Sequence, residues 1–202
     1  MLKIHNCEQG TDEWFEARAC KMTASHAQAI GNQGKGLETY IYELMAKFHS
    51  QAERDSFTSK DTERGIELEP IAREIYELEN NVTVEQVGFI ELEDEYVGCS
   101  PDGLIGETGG LEIKCINDIA HYKMILLGES EIDTKYIWQV QMSLFITGRE
   151  WWDLCFYNPN YKQSLIKYRI VRDEEKIEAI RGGIEKGKNL IIKQKEIYAN
   201  KA

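Results

Sequence analysis

The apolar pattern of this chain changes period in its middle. Before about residue 80 the apolar residues recur at helical spacing, as in Leu37, Ile41, Leu44, Met45 and Phe48. Val82 to Leu92, Tyr96 to Cys99 and Leu111 to Ile116 are instead apolar and β-branched runs broken by glycines, which predicts strands. Helical spacing returns over Lys135 to Thr147. Trp151 to Asn158 and Ser164 to Val171 read as further strands, and Asp173 to Tyr198 as a long amphipathic helix. On the N-terminal side, Thr11 is placed to cap a short helix through Arg18, with Asp12 and Glu13 in its first turn. A second short helix should follow Thr23 or Ser25. Another covers about Asp61 to Glu79, with Pro70 near its first turn or kinking it. Gly31 to Gly36 reads as a polar, glycine-rich loop between helices. Helices before and after a central mixed sheet define an α/β (α+β) fold.

The chain has 202 residues, enough for one domain spanning residues 1–202, and its three prolines form no linker. Hydrophobic content of 42% excludes a disordered chain. No run approaches the ~18 apolar residues of a membrane span, and the N-terminus lacks a signal-peptide apolar region, so a soluble, cytoplasmic protein is expected. The five cysteines form no CxxC pair and the four histidines no HExxH, which points to buried thiols rather than a zinc site or a disulfide framework. A net charge of -11 argues at first against a nucleic-acid partner. A site that holds divalent cations is itself acidic, so net charge does not decide the question.

Chemistry concentrates in Ser100-Pro101-Asp102-Gly103 and Gly109-Gly110-Leu111-Glu112-Ile113-Lys114. On a strand Glu112 and Lys114 share one face, while Leu111, Ile113 and Cys115 share the other. Glycines at 106, 109 and 110 allow a tight return that brings Asp102 back beside Glu112. Two carboxylates and an ammonium then converge, and carboxylate oxygens are the hard ligands that Mg2+ prefers. Such a site can hydrolyse a phosphodiester. From these three residues alone, a surface strand carrying an ion pair is the more ordinary reading.

Asp102, Glu112 and Lys114 match the PD-(D/E)XK nuclease pattern. More narrowly, the chain resembles the lambda-exonuclease-like (YqaJ-type) viral recombinases. Five motifs occur in that family's order: residues 10–25 (GTDEWFEARACKMTAS), 64–76 (RGIELEPIAREIY), 98–104 (GCSPDGL), 110–115 (GLEIKC) and 136–148 (YIWQVQMSLFITG). The resemblance implies a restriction-endonuclease-like core and a Mg2+-dependent exonuclease with two metals per site, Mn2+ being able to substitute. It would act 5′→3′ on linear double-stranded DNA ends, release 5′-phosphomononucleotides and leave 3′ overhangs for recombination. A ring-shaped homotrimer and a single-strand annealing protein are the implied assembly and partner.

The resemblance also assigns residues. Asp102, Glu112 and Glu69 would hold metal, although Glu69 is also placed for an ion pair with Arg73 one turn on. Gln141 would enter the catalytic site, a structural amide in the core being the alternative. Gln139 lies roughly 200° away around the helix, so both glutamines should not reach one site. Arg18 would grip a terminal 5′-phosphate with Ser25 and Ser100, or else pair with Glu13 or Glu16 on its own helix. Trp14 and Ile30 read as core. Where family members can carry an apolar strand-separating wedge, residues 59–64 are polar, with Thr62 at that position; the Gly31–Gly36 loop is the substitute considered. The closest rival is a PD-(D/E)XK endonuclease of repair or restriction type.

Overall fold

The structure is a computed structural model that describes residues 1–52, 60–93 and 95–201, without the side chains of residues 60–62. In chain order its elements are β1 (Leu2–His5), α1 (Asp12–Arg18), β2 (Met22–Thr23), a 3-10 turn (Ala24–His26), α2 (Ala27–Asn32), α3 (Lys35–His49) and α4 (Lys60–Asn80). Then follow β3 (Val84–Glu85), β4 (Phe89–Leu92), β5 (Val97–Cys99), β6 (Gly103–Ile105), β7 (Gly109–Cys115) and α5 (Asp118–Leu127). A second 3-10 turn (Gly128–Glu131), α6 (Thr134–Thr147), β8 (Trp151–Tyr157), β9 (Leu165–Val171) and α7 (Glu174–Ala199) complete the order.

The strands form two mixed sheets rather than the single one expected. The smaller has the order β1-β4-β5-β2 and the larger β3-β6-β7-β8-β9. The segment read as one strand over Val82 to Leu92 divides between them, because Glu85 ends β3 in one sheet and Phe89 begins β4 in the other. Its continuous apolar pattern hides the change of partner. Within the larger sheet β6 and β7 are antiparallel, while β7 and β8 are parallel and joined by the helical crossover through α5 and α6.

The larger sheet is covered on both faces. Leu111, Ile113, Cys155 and Tyr157 pack with Ala72 and Tyr76 of α4, whereas Trp152, Leu154 and Phe156 join the core under α6 and α7. The alternation predicted for β7 therefore holds: its apolar residues anchor α4, and Glu112 and Lys114 emerge on the face toward α6. Thr11 caps α1 as expected, accepting a hydrogen bond from the Trp14 N–H. The glycine-rich stretch 31–36 is mostly helical, leaving only Gln33 and Gly34 between α2 and α3, with Gln33 in the left-handed region. That is too short for a strand-separating loop. Pro70 lies inside α4 on its exposed side. No helix among the described residues is long and apolar enough to cross a membrane.

Candidate active site

The β6–β7 hairpin builds the centre. Gly106, at φ +52°, takes the left-handed conformation that its turn requires. Gly109 and Gly110 serve a different end from the tight return expected: a side chain at either would overlap the indole rings of Trp151 and Trp152 on β8. The register pairs Gly103 with Leu111, so the residue before β6 falls opposite Glu112. The Asp102 N–H donates to the Leu111 carbonyl (3.2 Å), and the Ile113 N–H donates to Asp102 Oδ2 (2.6 Å). Asp102 is thereby held beside the strand that carries Glu112 and Lys114.

Glu112 is buried, and its Oε1 accepts from Lys114 Nζ (2.6 Å) and from Gln139 Nε2 of α6 (2.5 Å). Lys114 Nζ also lies 5.1 Å from the centre of the Tyr136 ring. Glu69 reaches in from α4 and is paired with Arg73, whose Nε donates to the Asp102 carbonyl (3.1 Å). The expected ion pair is realised, and through Arg73 it holds the Glu69 carboxylate next to the Asp102 turn.

Three carboxylates crowd together. Burial pushes Asp102 well above the usual carboxylate range, and the nearby Glu112 and Glu69 push it further. Burial likewise raises Glu69 against the pull of Arg73. For Lys114 burial works downward, but Glu112 and Asp102 outweigh it, so the ammonium is stabilised. This centre is short of positive charge. As they stand, no three Asp, Glu, His or Cys side chains among the described residues form a closed cage. Asp102, Glu112 and Glu69 each engage one oxygen and leave the other without a hydrogen bond to a described residue. Hard oxygen donors, like-charge crowding and free lone pairs fit a divalent cation such as Mg2+.

A second polar cluster adjoins this centre, at Ser100, two residues before Asp102. Arg18 Nη1 donates to Ser100 Oγ (2.8 Å), and the guanidinium lies 4.1 Å from the Trp14 ring centre. Trp14 Nε1 also donates to Ser100 Oγ (3.0 Å), so Trp14 is part of the pocket wall rather than plain core. Ile30 is core. Having accepted two N–H groups, the Ser100 hydroxyl keeps its own proton for a further acceptor. No ion pair joins Arg18 to Glu13 or Glu16 among the described residues. Burial lowers its pKa, opposed by Tyr40 and Cys99, with no carboxylate contributing. Ser25 does not touch Arg18; its Oγ bonds Thr23 Oγ1 (3.0 Å) and His26 Nδ1 (3.3 Å).

Residues 13–150 match the YqaJ-like viral recombinase domain. This chain belongs to the YqaJ-like viral recombinase family. Among solved structures, it is similar to the alkaline exonuclease LHK-Exo from Laribacter hongkongensis, at 32% identity over 95% of this chain and 100% of that one, with a TM-score of 0.80. LHK-Exo in complex with dAMP gives the same identity and coverage and a TM-score of 0.81. A phage-related exonuclease from Haemophilus somnus 129PT shares the fold at 15% identity, covering 90% of this chain and 96% of its own, with a TM-score of 0.64. No curated protein sequence matches this chain significantly.

For this YqaJ-like recombinase, one expected placement is corrected. Gln141 does not face the carboxylates. Its Nε2 donates to the Val171 carbonyl (2.8 Å) and its Oε1 accepts from the Asp173 N–H (2.9 Å), which ties the turn between β9 and α7. Gln139 takes the position beside Glu112 instead. Helix geometry held, since only one of the two glutamines reaches the carboxylates, and Gln141 is the structural amide named as the alternative. The choice between them failed because α6 is surrounded, packing against α2, α7, β5 and β8, so its apolar face does not point at one site. Sequence reasoning did not single out Tyr136, Thr23, His26 or Tyr40, and it read Arg73 only as the ion-pair partner of Glu69. For Arg73 the signal was its place one turn after Glu69. Ser59 and the Thr62 side chain, the expected wedge position, lie outside the described residues.

Proposed function

We propose that this chain is a Mg2+-dependent exonuclease that degrades one strand of linear double-stranded DNA 5′→3′ and releases 5′-phosphomononucleotides. The observation that carries the reading is the adjacency of the two pockets. Ser100 and Asp102 are two residues apart along an extended chain, so their Cα atoms are at most about 7 Å apart. That is on the scale of one nucleotide. A terminal phosphate gripped by Arg18 and Ser100 would leave the next phosphodiester over the carboxylates. Occupation of LHK-Exo by dAMP, a nucleoside monophosphate, supports the same assignment.

Asp102, Glu112 and Glu69 would hold Mg2+, two ions per site, with Mn2+ able to substitute. Bound there, the metal supplies an activated water and stabilises the leaving oxygen. The protein's own groups do the rest. Lys114 stays protonated beside Glu112, so it acts as a charged donor to the attacked phosphate or the attacking water, not as a base. Gln139 fixes the rotamer of Glu112 from α6, and Arg73 fixes both Glu69 and the Asp102 main chain. Arg18 offers a planar fork to the terminal phosphate, the geometry best suited to bidentate recognition. Each cut exposes a new 5′ phosphate for that fork, which favours stepwise digestion.

The proposal includes the 3′ overhang as product, a ring-shaped homotrimer, and a single-strand annealing protein as partner, each resting on family membership. The decisive test is a time course on duplex labelled at either end, with and without Mg2+. Release of labelled mononucleotide from the 5′ end, only with Mg2+, is expected. Cutting of covalently closed circles at a comparable rate would replace this reading with an endonuclease. Light scattering of the purified protein tests the trimer.

A further inference from the structure

Beside Arg18 lies a hydroxyl chain that the phosphate grip alone does not use. His26 Nδ1 is 3.3 Å from both Thr23 Oγ1 and Ser25 Oγ, and those hydroxyl oxygens are 3.0 Å apart. Tyr40 stacks flat on the His26 ring at 3.9 Å and 9°, and its phenol accepts the Thr23 N–H (3.0 Å). Thr23 and Tyr40 are buried, whereas Ser25 and His26 are open to solvent. β2 runs parallel to β5 with Thr23 opposite Gly98, two residues before the Ser100 that Arg18 grips. This group therefore adjoins the Arg18–Ser100 pair, and the charge of Arg18 acts on both Tyr40 and His26.

Counting protons shows what the arrangement can do. Thr23 and Ser25 each own one hydroxyl proton. One is spent in the bond between them. When His26 Nδ1 accepts, it takes the other, and no hydroxyl proton faces outward. Tyr40, whose phenol accepts the Thr23 N–H, has its own proton to donate to Thr23 Oγ1 (3.5 Å), so Thr23 donates to Ser25. An imidazolium must donate from Nδ1, which releases the remaining hydroxyl proton at the exposed member, Ser25. The neutral ring can take either tautomer; only the charged ring is obliged to donate.

We propose that His26 is a positioning and specificity-determining residue for the 5′-phosphate: protonated, it turns the Ser25 hydroxyl toward the terminal phosphate and adds a second positive charge beside Arg18. This rests on the Arg18 phosphate pocket proposed above. The groups acting on the ring are Glu43 and Lys47 of α3 and Arg18 of α1; α6 and β5, which also pack on this turn, bring no charge to bear on it among the described residues. Burial, Lys47 and Arg18 hold the free imidazole below its ordinary value, against the pull of Glu43. A terminal phosphate has its second ionisation near pH ~6, so a dianion and an imidazolium attract most strongly around there. Internal phosphodiesters carry no such second charge. The pocket therefore distinguishes an end from a backbone phosphate most sharply at mildly acidic to neutral pH.

The test is binding, not cleavage. Fluorescence anisotropy in EDTA compares 5′-phosphorylated with 5′-hydroxyl duplex between about pH 6.5 and 8.5, for wild type, His26→Asn and Arg18→Ala. Asparagine keeps a hydrogen-bonding group near the Nδ1 position but does not titrate. In wild type the preference for phosphorylated ends falls about three- to tenfold across the range, one-proton linkage allowing at most about tenfold per pH unit. In His26→Asn the preference persists but is flat with pH, and the melting temperature is close to wild type because the residue is exposed. A wild-type pH slope retained in His26→Asn overturns the role of His26. A preference retained in Arg18→Ala overturns the pocket itself, which separates the two failures.

Discussion

Exchange of the two α6 glutamines for alanine, one at a time, separates a structural amide from a functional one. Gln141 is 1% exposed, and it satisfies a main-chain carbonyl at Val171 and a main-chain N–H at Asp173. Stranding a buried polar group costs about 1–3 kcal/mol. Gln141→Ala strands two and leaves a small cavity, so a loss of roughly 2–5 kcal/mol is expected. In a chain of this size each kcal/mol lowers the melting temperature by about 2–4 °C, which predicts a drop of about 4–20 °C. Gln139 is only half-buried and water can replace it, so Gln139→Ala should melt within a few degrees of wild type. Its bond is to the charged Glu112, however, worth roughly 1.5–3 kcal/mol. Lost in the transition state, that is about a 10- to 100-fold slower single-turnover cleavage. Scanning fluorimetry and single-turnover digestion of 5′-phosphorylated duplex at a temperature where both variants are folded measure the two effects. A Gln141→Ala protein that melts normally but cannot cleave, beside a fully active Gln139→Ala, would refute the assignment.

Three further outcomes follow from the charge balance. Because Asp102 is raised in the folded state, the stability it contributes is present below its unfolded pKa and lost as pH rises through its folded one. Asp102→Asn keeps an acceptor for the Ile113 N–H, so without metal it should melt above wild type at pH 8 and converge with it near pH 4, while cleaving nothing; a lower melting point at pH 8 would contradict the crowding. Protons on Asp102 and Glu69 compete with metal, so the Mg2+ concentration giving half-maximal cleavage should fall as pH rises from about 6 to 8; a pH-independent midpoint counts against these ligands. Lys114→Ala should abolish cleavage yet preserve duplex binding measured by anisotropy in EDTA, and unchanged cleavage would remove Lys114 from the site.

What the sequence disclosed depended on whether neighbours along the chain or neighbours in space set the pattern. Thr11 before α1 and the alternation along β7 are local, and both were legible. So was the return of Asp102 to Glu112, because a hairpin follows from glycine-bearing turns between short strands. The helix α5 was not. Its Ile119, Tyr122, Leu126 and Leu127 are exposed while His121 and Met124 are buried, so the polarity contrast that reveals a helix face is absent. Strand β1 was missed because only its cross-strand partners in β4 identify it. The choice between Gln139 and Gln141 turned on which neighbours surround α6, and one helix's own periodicity does not contain that information.

The β7 strand joins two requirements that many enzymes keep apart. Leu111 and Ile113 bind the sheet to α4, and the alternate residues Glu112 and Lys114 form the ion pair of the candidate site. Inserting or deleting one residue within the strand would exchange the two sets, burying both charges under α4 and presenting the apolar pair to the substrate. Such a frame error would cost the apolar contacts with α4 as well as the charged pair, so the fold and the candidate site would be lost together. The faulty chain would unfold and be removed by proteolysis. The turn at Glu107 and Thr108 lies outside the β6–β7 ladder but is held too, since the Thr108 carbonyl accepts the Glu150 N–H (2.9 Å) and Arg149 donates to the carbonyls of Gly106 and Gly109. Quality control of the reactive centre is thus delegated to folding itself.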